Sequence, residues 1–372
     1  MKIAYTISGL YNSGGMENIL LQKANYLAEV YGHEITIITT DQENNDIFFK
    51  ISPQVRVIDL NINYNKTIRS RLWYVKKFNL VRRHKRRLAD ILHTEKFDVC
   101  ISLMDFDFEF LTSINDGSKK IAEYHFSRYA KALSTRNVIG KTLQRLRTCQ
   151  WKSILKKFDR FIVLTEQDKN QWGNMSNIDV IPNFINYFPE ESCVPDARKI
   201  MSVGRMEYQK GFDMLLEAWE IVAKQLPDWS LSIYGGGDRS SLEQMIKDRM
   251  LERVSLNPPV SPIGKVYSEC SLYVMSSRYE GLPLVLLEAM SYGLPIVSYE
   301  CPCGPRDILR PDFGRLVKPD DVKALADTIV ATAKDAEWRH KAVEAAKSHS
   351  HLFSKEVIME KWNNLFSSLE II

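Results

Sequence analysis

Two glutamates frame a glycine-containing turn in the second half of this 372-residue chain. Glu280 and Glu288 are separated by seven residues, and the turn Gly-Leu-Pro (281–283) directly follows the first. The apolar run 272–275 predicts a strand before the turn, and the apolar spacing after it predicts a helix that carries Glu288 about two helical turns beyond Glu280. A strand, a glycine turn and a helix start together aim backbone N–H groups at an anion. With a carboxylate at each end, the turn predicts a ligand that has both phosphates and hydroxyl groups.

Two cations precede this motif in the same half of the chain. Arg205 follows the predicted strand 199–203, and Lys210 precedes a helix predicted from residue 212. Cations near a helix N-terminus add to its positive end, which suits a diphosphate. A diphosphate would repel Glu280 unless that carboxylate accepts hydrogen bonds from hydroxyl groups beside the phosphates. A hexose, a diphosphate and a ribose meet all of these conditions, so the pattern predicts a nucleotide-sugar site.

Both halves of the chain carry the pattern of a doubly wound parallel α/β fold. Strand 2–7, the loop at Gly14 and Gly15, an amphipathic helix and strand 34–39 form a βαβ unit. Further strands are predicted at 55–60, 99–103, 120–124, 161–164, 199–203, 230–234, 254–256, 272–275 and 296–298. The polar, proline-bearing run 189–195 predicts a linker. We therefore expect an N-terminal domain over 1–190, a C-terminal domain over 191–350, and a C-terminal helix over 351–372 that packs back on the N-terminal domain.

His125 directly follows the predicted strand 120–124. Because the carboxyl ends of parallel strands share one edge of the sheet, His125 is expected to face the loop at Gly14 and Gly15. A histidine after a buried strand is often a packed or capping residue. Its position opposite the glycine loop favours a role in ligand binding.

Basic, amphipathic stretches stand out against the modest net charge of +4. Arg69–Arg87 mixes nine lysines and arginines with Trp and Phe, and 136–160 is similar. Attraction to an anionic membrane surface is the favoured interpretation; a solvated helix face is the alternative, and no nucleic-acid-binding signature accompanies the charge.

The first residues predict a strand and not a signal peptide, and no apolar run reaches the roughly 18–20 residues of a membrane span. The expected location is the cytoplasm. The six cysteines, including Cys301 and Cys303, lack the spacing of a zinc site and are expected to be reduced.

The sequence resembles the retaining glycosyltransferases of family 4, which have the GT-B architecture of two facing Rossmann-like domains. The matching segments are GGMENILLQKANYLAEVYGHEITIIT, VGRMEYQKGFDMLLEAW, IYGGG and SSRYEGLPLVLLEAMSYGLPIVS, spread over nearly the whole chain. The combination of two glutamates, EGLP and the GR…KG pair is specific. The resemblance implies a GT-B fold and transfer of a sugar from a nucleotide-sugar donor.

The resemblance also implies roles for single residues. Arg205 and Lys210 would bind the donor diphosphate, Glu280 the hydroxyls of the transferred sugar, and Glu288 the ribose. His125 matches a family histidine near the outer hydroxyls of that sugar.

Backbone groups complete the implied donor site. The turn would hold phosphate or sugar through main-chain atoms, and the first-domain glycine loop would approach the diphosphate from the opposite side. The residues concerned are Gly14, Gly15, Gly281, Leu282, Pro283 and Leu284. Base contacts would come from Pro259 and Val260, where many relatives carry a glycine-containing loop. The loop 301–308 resembles members that use UDP-sugars in surface-polysaccharide assembly, which favours UDP over GDP.

The resemblance implies a front-face reaction with retention, in which the leaving diphosphate oxygen takes the proton of a glycan or lipid-linked acceptor. No cofactor is expected beyond the nucleotide sugar. No metal is expected either, since Asp105-Phe-Asp107 lies in the acceptor half. The alternatives are a GT-B epimerase acting on the donor alone and a basic nucleic-acid-binding protein. A dehydrogenase is disfavoured because no G-x-G-x-x-G follows the first strand of either half.

Overall fold

In a computed structural model, residues 1–68, 73–130 and 138–369 are described, and they form two parallel β-sheets covered by helices. The strands of the first sheet are β1 (Lys2–Ile7), β2 (Glu34–Thr39), β3 (Val55–Asp59), β4 (Val99–Ser102), β5 (Lys119–Tyr124), β6 (Arg160–Val163) and β7 (Ile178–Val180). Those of the second are β8 (Lys199–Val203), β9 (Ser230–Tyr234), β10 (Val254–Asn257), β11 (Leu272–Met275), β12 (Ile296–Tyr299) and β13 (Gly314–Val317).

The two sheets share the same strand order over six strands, and the first sheet has a seventh strand at its edge. The first has the order β3-β2-β1-β4-β5-β6-β7 and the second β10-β9-β8-β11-β12-β13. Neighbouring strands in both sheets pair in parallel, as in β1 with β4, where Tyr5 lies opposite Ile101. Strands β4, β11 and β12 are buried at every residue, as expected for strands covered on both faces. The prediction of two Rossmann-like α/β units is confirmed.

The helices occupy the connections between the strands. They are α1 (Gly15–Glu29), α2 (Tyr64–Ile68), α3 (Trp73–Glu95), α4 (Val138–Leu155), α5 (Glu166–Trp172), α6 (Phe212–Gln225), α7 (Ser240–Asp248), α8 (Gly264–Ser268), α9 (Leu284–Ser291), α10 (Pro305–Ile308), α11 (Val322–Lys334), α12 (Ala336–Ser350) and α13 (Lys355–Ser367). Strands β7 and β13 were not predicted from the sequence, and neither were several helices, among them α11 and α12. Strand β7 has only three residues, too few for a periodic signal.

Helices cover both faces of the first sheet. One face packs in a cluster with α1 and with the C-terminal helix α13, whose buried residues include Ile358, Met359, Trp362 and Phe366. The opposite face packs against α3 and α4 through residues such as Leu88, Leu92 and Leu155. The chain thus returns to its first sheet after completing the second, and α13 lies directly against α1 in the same apolar cluster.

Among the residues that the structure describes, no helix is both long and apolar enough to cross a membrane.

Candidate active site

The strand order reverses between β1 and β4 in the first sheet and between β8 and β11 in the second. Open α/β sheets bind ligands outside the carboxyl ends of their strands at such switch points. The loops that leave these ends are those after β1, β8 and β11, and they carry Gly15, Lys210 and Glu280. His125 follows β5, one strand further along the first sheet.

Lys210 and Glu280 form an ion pair at the second switch point. Lys210 Nζ lies 2.8 Å from Glu280 Oε1, and the two side chains are 18% and 7% exposed. Gln209 donates through Nε2 to the Tyr279 carbonyl and, at 3.4 Å, to Glu280 Oε2. The carboxylate is therefore fixed from two sides by the loop that follows β8.

Lys210 reaches Glu280 because the chain around it is tightly folded. Gly211 has φ +62°, and a Cβ there would lie 2.1 Å from the Ser276 carbonyl oxygen. The Lys210 side chain also runs across Gly204, where a Cβ would lie 3.0 Å from its methylene carbons. Glycine at both positions lets the loops after β8 and β11 approach closely enough for the ion pair.

The turn after β11 corrects one expectation about the two glutamates. Helix α9 begins at Leu284 with Pro283 as its N-cap, so Glu280 lies in the turn and not on the helix. The two carboxylates are therefore not two helical turns apart on one helix. The proline explains this, because it disfavours the helical conformation for the residue that precedes it. No side chain caps α9, and its first amides, beginning with that of Leu284, have no intrahelical acceptor.

The two domains touch at the predicted site. A Cβ on Gly281 would lie 2.3 Å from the His125 carbonyl oxygen, so these backbones are in direct contact. A Cβ on Gly15 would lie 3.2 Å from Cδ1 of Leu284. Gly14 is the N-cap of α1 and lies beside the Glu17 carboxylate. The structure thus brings His125, Gly15 and the turn at Gly281 together across the domain boundary.

Glu288 lies in a cavity instead of on a solvated face of its helix. Its Oε2 accepts a 2.9 Å hydrogen bond from the hydroxyl of Tyr267, a fully buried residue. Burial raises the pKa of the Glu288 carboxyl above its ordinary value, and the Tyr267 hydrogen bond partly offsets this effect. The carboxylate is positioned to accept hydrogen bonds from a ligand in the cavity.

This cavity has a volume of about 220 Å³ and lies between the domains. Its walls come from α1, the segment after β7, the loop before α8, and α9. The lining residues are Asn18, Ile19, Phe184, Ile185, Asn186, Tyr187, Pro262, Ile263, Gly264, Tyr267, Leu284, Leu287, Glu288, Ser291 and Tyr292. Pro259 and Val260 do not line it; both are exposed, and Pro259 lies beside Gly236. The base-contact prediction therefore falls a few residues away from the cavity wall.

The Arg205 side chain extends into solvent instead of joining the Lys210–Glu280 pair. It is 73% exposed and lies 3.4 Å from Glu207 Oε1. Leu282 and Pro283 are buried, with the Leu282 side chain in an apolar cluster of the second sheet. The turn therefore offers backbone atoms to a ligand while its side chains anchor it.

The Asp105-Phe-Asp107 segment has a structural explanation. Asp105 accepts from the Ser8 amide at 2.8 Å, and Asp107 accepts from the Thr6 hydroxyl at 2.6 Å. Burial raises the pKa of Asp107 to about 6, against the effect of the Thr6 hydrogen bond. Within residues 1–68, 73–130 and 138–369, no group of three or more His, Cys, Asp or Glu side chains could hold a metal ion.

Several residues at or near the site were not predicted from the sequence. Gln209 adjoins the recognisable GR…KG pair but has no distinctive chemistry by itself. Tyr267 reaches Glu288 from 21 positions earlier in the chain. Lys23 and Glu123, which lie behind His125, are 100 residues apart. Only the folded chain brings these side chains together.

Comparison with known proteins gives two matching family models. Residues 13–187 match the model described as Glycosyltransferase Family 4, and residues 184–349 match the one described as Glycosyl transferases group 1. The two matches meet at the segment between β7 and β8 and together cover every strand of both sheets except β1.

Relatives and solved structures match over the whole chain. An uncharacterized glycosyltransferase of Haemophilus influenzae is 26% identical over 98% of this chain and 99% of its own. A Campylobacter jejuni α-1,4-N-acetyl-D-galactosaminyltransferase, whose name specifies a diphosphoundecaprenol-linked glycan, is 27% identical over 100% and 99%. A Staphylococcus aureus TarM variant, crystallised with fondaparinux, α-GlcNAc-glycerol and UDP, has a TM-score of 0.77 at 18% identity and covers 99% of this chain and 100% of its own. This last similarity shows the fold.

Proposed function

This chain belongs to the family 4-type GT-B glycosyltransferases, and from that premise we propose that it transfers a hexose or N-acetylhexosamine, with retention, from a UDP-sugar to a glycan or lipid-linked acceptor in surface-polysaccharide biosynthesis. The observation that carries the proposal is the Lys210–Glu280 pair. It lies at a topological switch point beside the uncapped start of α9, and His125 of the other domain adjoins it.

The donor is proposed to span the domain boundary. Glu288 in the cavity accepts hydrogen bonds from the ribose hydroxyls, and the amides at the start of α9 bind phosphate. Glu280 and His125 contact the transferred sugar. The cavity of about 220 Å³ is smaller than the roughly 300–1,000 Å³ of most small-molecule sites. It therefore suits the nucleoside portion, and the remainder of the donor extends past Glu280 towards the acceptor.

The reaction is proposed to follow a front-face route. The bond from the anomeric carbon to the diphosphate oxygen breaks, and the acceptor oxygen bonds to the same face of that carbon. The acceptor proton passes to the departing diphosphate oxygen. Negative charge grows on this leaving group, where Lys210 and the exposed Arg205 stabilise it together with the α9 amides. No metal enters this proposal, since these cations and amides supply the positive charge.

UDP is the proposed nucleotide. The support is the loop 301–308, which resembles that of members using UDP-sugars, and the fold shared with a TarM variant crystallised with UDP.

A lipid-linked acceptor is proposed from the Campylobacter relative, whose named substrate is a glycan on diphosphoundecaprenol. Such an acceptor places the enzyme at the cytoplasmic face of a membrane. On α3, the exposed Phe78, Arg82 and Arg86 follow each other at intervals of four residues and share one helix face. Arg83 and Arg87 instead donate to backbone carbonyls, the latter to that of Leu60. The start of the basic stretch, 69–72, lies outside the described residues. The proposed membrane contact is therefore the face of α3 formed by Phe78, Arg82 and Arg86.

A donor panel tests the proposal. Purified protein is incubated with UDP- and GDP-sugars, with and without a diphospholipid-linked glycan, and products are identified by mass spectrometry. We expect a glycosylated acceptor with one UDP-sugar. We also expect Lys210→Met and Glu280→Gln each to lower kcat by about 100-fold or more, as does loss of one preorganised charge-stabilising group. Conversion of the donor alone, or full transfer by both variants, would contradict the proposal.

A matched control guards against a general effect of charge removal. Lys224, which is 74% exposed and pairs with Glu220 on α6, lies in the same domain. Lys224→Met removes the same charge and is expected to leave kcat unchanged.

A further inference from the structure

A buried ion pair lies beneath the first-domain side of the site. Lys23 of α1 and Glu123 of β5 have side chains that are 1% and 2% exposed. Lys23 Nζ lies 2.6 Å and 2.5 Å from the two carboxylate oxygens. The same ammonium lies 4.0 Å from the ring centroid of Trp362 and 5.1 Å from that of Tyr5. The carboxylate and the two aromatic rings therefore enclose this cation.

Such a pair is a costly way to fill a core. Removing two charges from water costs several kcal/mol per ion, and apolar residues of similar size often stabilise a protein as well or better. Lys23 lies on the buried, mainly apolar stripe of α1, between Leu20 and Leu27, both fully buried. A leucine or methionine would continue that stripe. The presence of a lysine calls for a reason other than packing.

The reason is the third group at the carboxylate. His125 Nε2 lies 3.0 Å from Glu123 Oε1, and the His125 side chain is 5% exposed. Despite this distance, Nε2 is buried and makes no hydrogen bond in the structure. Hydrogen bonds of active sites are often misaligned before substrate binds and tighten in the complex. Because the distance is already 3.0 Å, alignment of Nε2–H with the carboxylate would complete this hydrogen bond.

The electrostatics keep the carboxylate ionised. Burial opposes ionisation of Glu123, but Lys23 and then His125 outweigh it, and the pKa of Glu123 is held well below its ordinary value. An ionised carboxylate accepts hydrogen bonds only, so it favours a proton on Nε2 of His125. Nδ1 then remains as the ring nitrogen available to a ligand.

His125 in turn is placed against the donor turn. Its carbonyl contacts the backbone of Gly281, the residue directly after Glu280. A continuous series of contacts therefore runs from Trp362 of the C-terminal helix to the turn that carries the proposed sugar contact. It passes through Lys23, Glu123, His125 and Gly281.

We propose that Glu123, with its charge balanced by Lys23, is a positioning residue that orients His125 towards the transferred sugar. Lys23 makes an ionised carboxylate possible at this depth, and Trp362 of α13 covers the ammonium. This inference rests on the proposed function, because it deepens the role of one residue of that site.

Substitutions of the pair separate positioning from packing. Glu123→Gln and Lys23→Met each leave one buried group without its partner, so both should lower the thermal midpoint of unfolding. The double variant Lys23→Met/Glu123→Gln removes both charges and is expected to regain most of that midpoint. We expect its kcat to stay at least about tenfold below wild type, as in Glu123→Gln, because the imidazole has lost its ionised acceptor. The KM for the donor should change little. A double variant that regains both the midpoint and kcat would show a purely structural pair and overturn the proposal.

A second cycle remains decisive even if the double variant fails to fold. Glu123→Gln is combined with His125→Asn, and kcat is measured below the unfolding range of each variant. If Glu123 acts through His125, Glu123→Gln lowers kcat in the wild-type background but not further in the His125→Asn background. Equal losses in both backgrounds would refute the positioning role. Failure of the proposed function itself is recognised separately, as full transfer by both Lys210→Met and Glu280→Gln, neither of which changes this pair.

Discussion

Tyr267→Phe removes a single hydroxyl group from the cavity that holds Glu288. That hydroxyl donates a 2.9 Å hydrogen bond to Glu288 Oε2. Burial raises the pKa of Glu288, and the hydrogen bond acts in the opposite direction because it stabilises the ionised form. In the variant the effect of burial is no longer offset, so Glu288 becomes protonated at a higher pH than in the wild type.

The sign of the effect on donor binding follows from the chemistry of the carboxylate. The ionised group can accept hydrogen bonds from both ribose hydroxyls, so donor affinity is present above the pKa of Glu288 and lost as the pH falls through it. A hydrogen bond to a charged group is worth about 1.5–3 kcal/mol, and about 1.4 kcal/mol corresponds to a factor of ten in affinity. We therefore expect Tyr267→Phe to bind the donor about 10- to 100-fold more weakly than wild type at acidic pH. The two proteins should converge at mildly alkaline pH.

Isothermal titration calorimetry with the nucleotide diphosphate, over a pH series, measures this difference. Tyr292→Phe is the matched control, because Tyr292 lines the same cavity and stacks on Tyr267 with ring centroids 5.3 Å apart. Its hydroxyl makes no hydrogen bond to Glu288 among the described contacts, so its pH profile should match wild type. Glu288→Gln should bind the nucleotide diphosphate weakly, and its affinity should not fall further at acidic pH. The reasoning would be refuted if the affinity of Tyr267→Phe fell at the same acidic pH as that of the wild type. It would also be refuted if Tyr292→Phe showed the same change in pH profile as Tyr267→Phe.

Two further sets of substitutions test the contact between the domains and the proposed membrane contact on α3. Gly281→Ala places a Cβ 2.3 Å from a backbone oxygen of the first domain, whereas ordinary contact begins near 3.4 Å; the domains must separate by about 1 Å, and a misplacement of that size can lower kcat about 100-fold. Gly15→Ala meets only the Leu284 side chain, at 3.2 Å, and should cost less; equal kcat values for the two variants would contradict this account. Arg82→Gln/Arg86→Gln removes two exposed charges, each worth about 1 kcal/mol near an anionic surface, so binding to phosphatidylglycerol vesicles should weaken about 30-fold in a sedimentation assay. Arg82→Lys/Arg86→Lys should bind like wild type, and undiminished binding by the glutamine variant would exclude this face as the membrane contact.

The sequence predicts most of the fold because the signals are local. Strands such as Leu272–Met275 are short apolar runs between turn residues, and their alternation with amphipathic helices suffices for a parallel α/β architecture. The donor half of the site is equally accessible, since Glu280, Glu288 and the turn between them lie within nine consecutive residues.

The first-domain half of the site is less accessible for a physical reason. Lys23 occupies one position of an amphipathic helix, where a lone lysine is normally solvent-facing. Its partner Glu123 lies in a strand, where polar residues normally alternate with apolar ones. The two become a buried pair only when α1 packs on the sheet and α13 returns to cover them. Sequence spacing carries no information about an encounter across 100 residues.

The ion pair at the second switch point gives a physical reason why a glutamate could lie beside the diphosphate of the proposed donor. Glu280 is already matched by Lys210 at 2.8 Å, so the turn presents little net charge before the donor arrives. In the proposed donor complex, the diphosphate contacts the α9 amides and one side of the Lys210 ammonium, which has three donors and uses one of them on Glu280. The second cation, Arg205, is exposed and weakly held by Glu207. It can therefore move to the phosphates without breaking a buried contact. We therefore propose that Lys210 both keeps the carboxylate in place for the sugar hydroxyls and contributes charge to the diphosphate, whereas the mobile cation Arg205 contributes to the diphosphate alone.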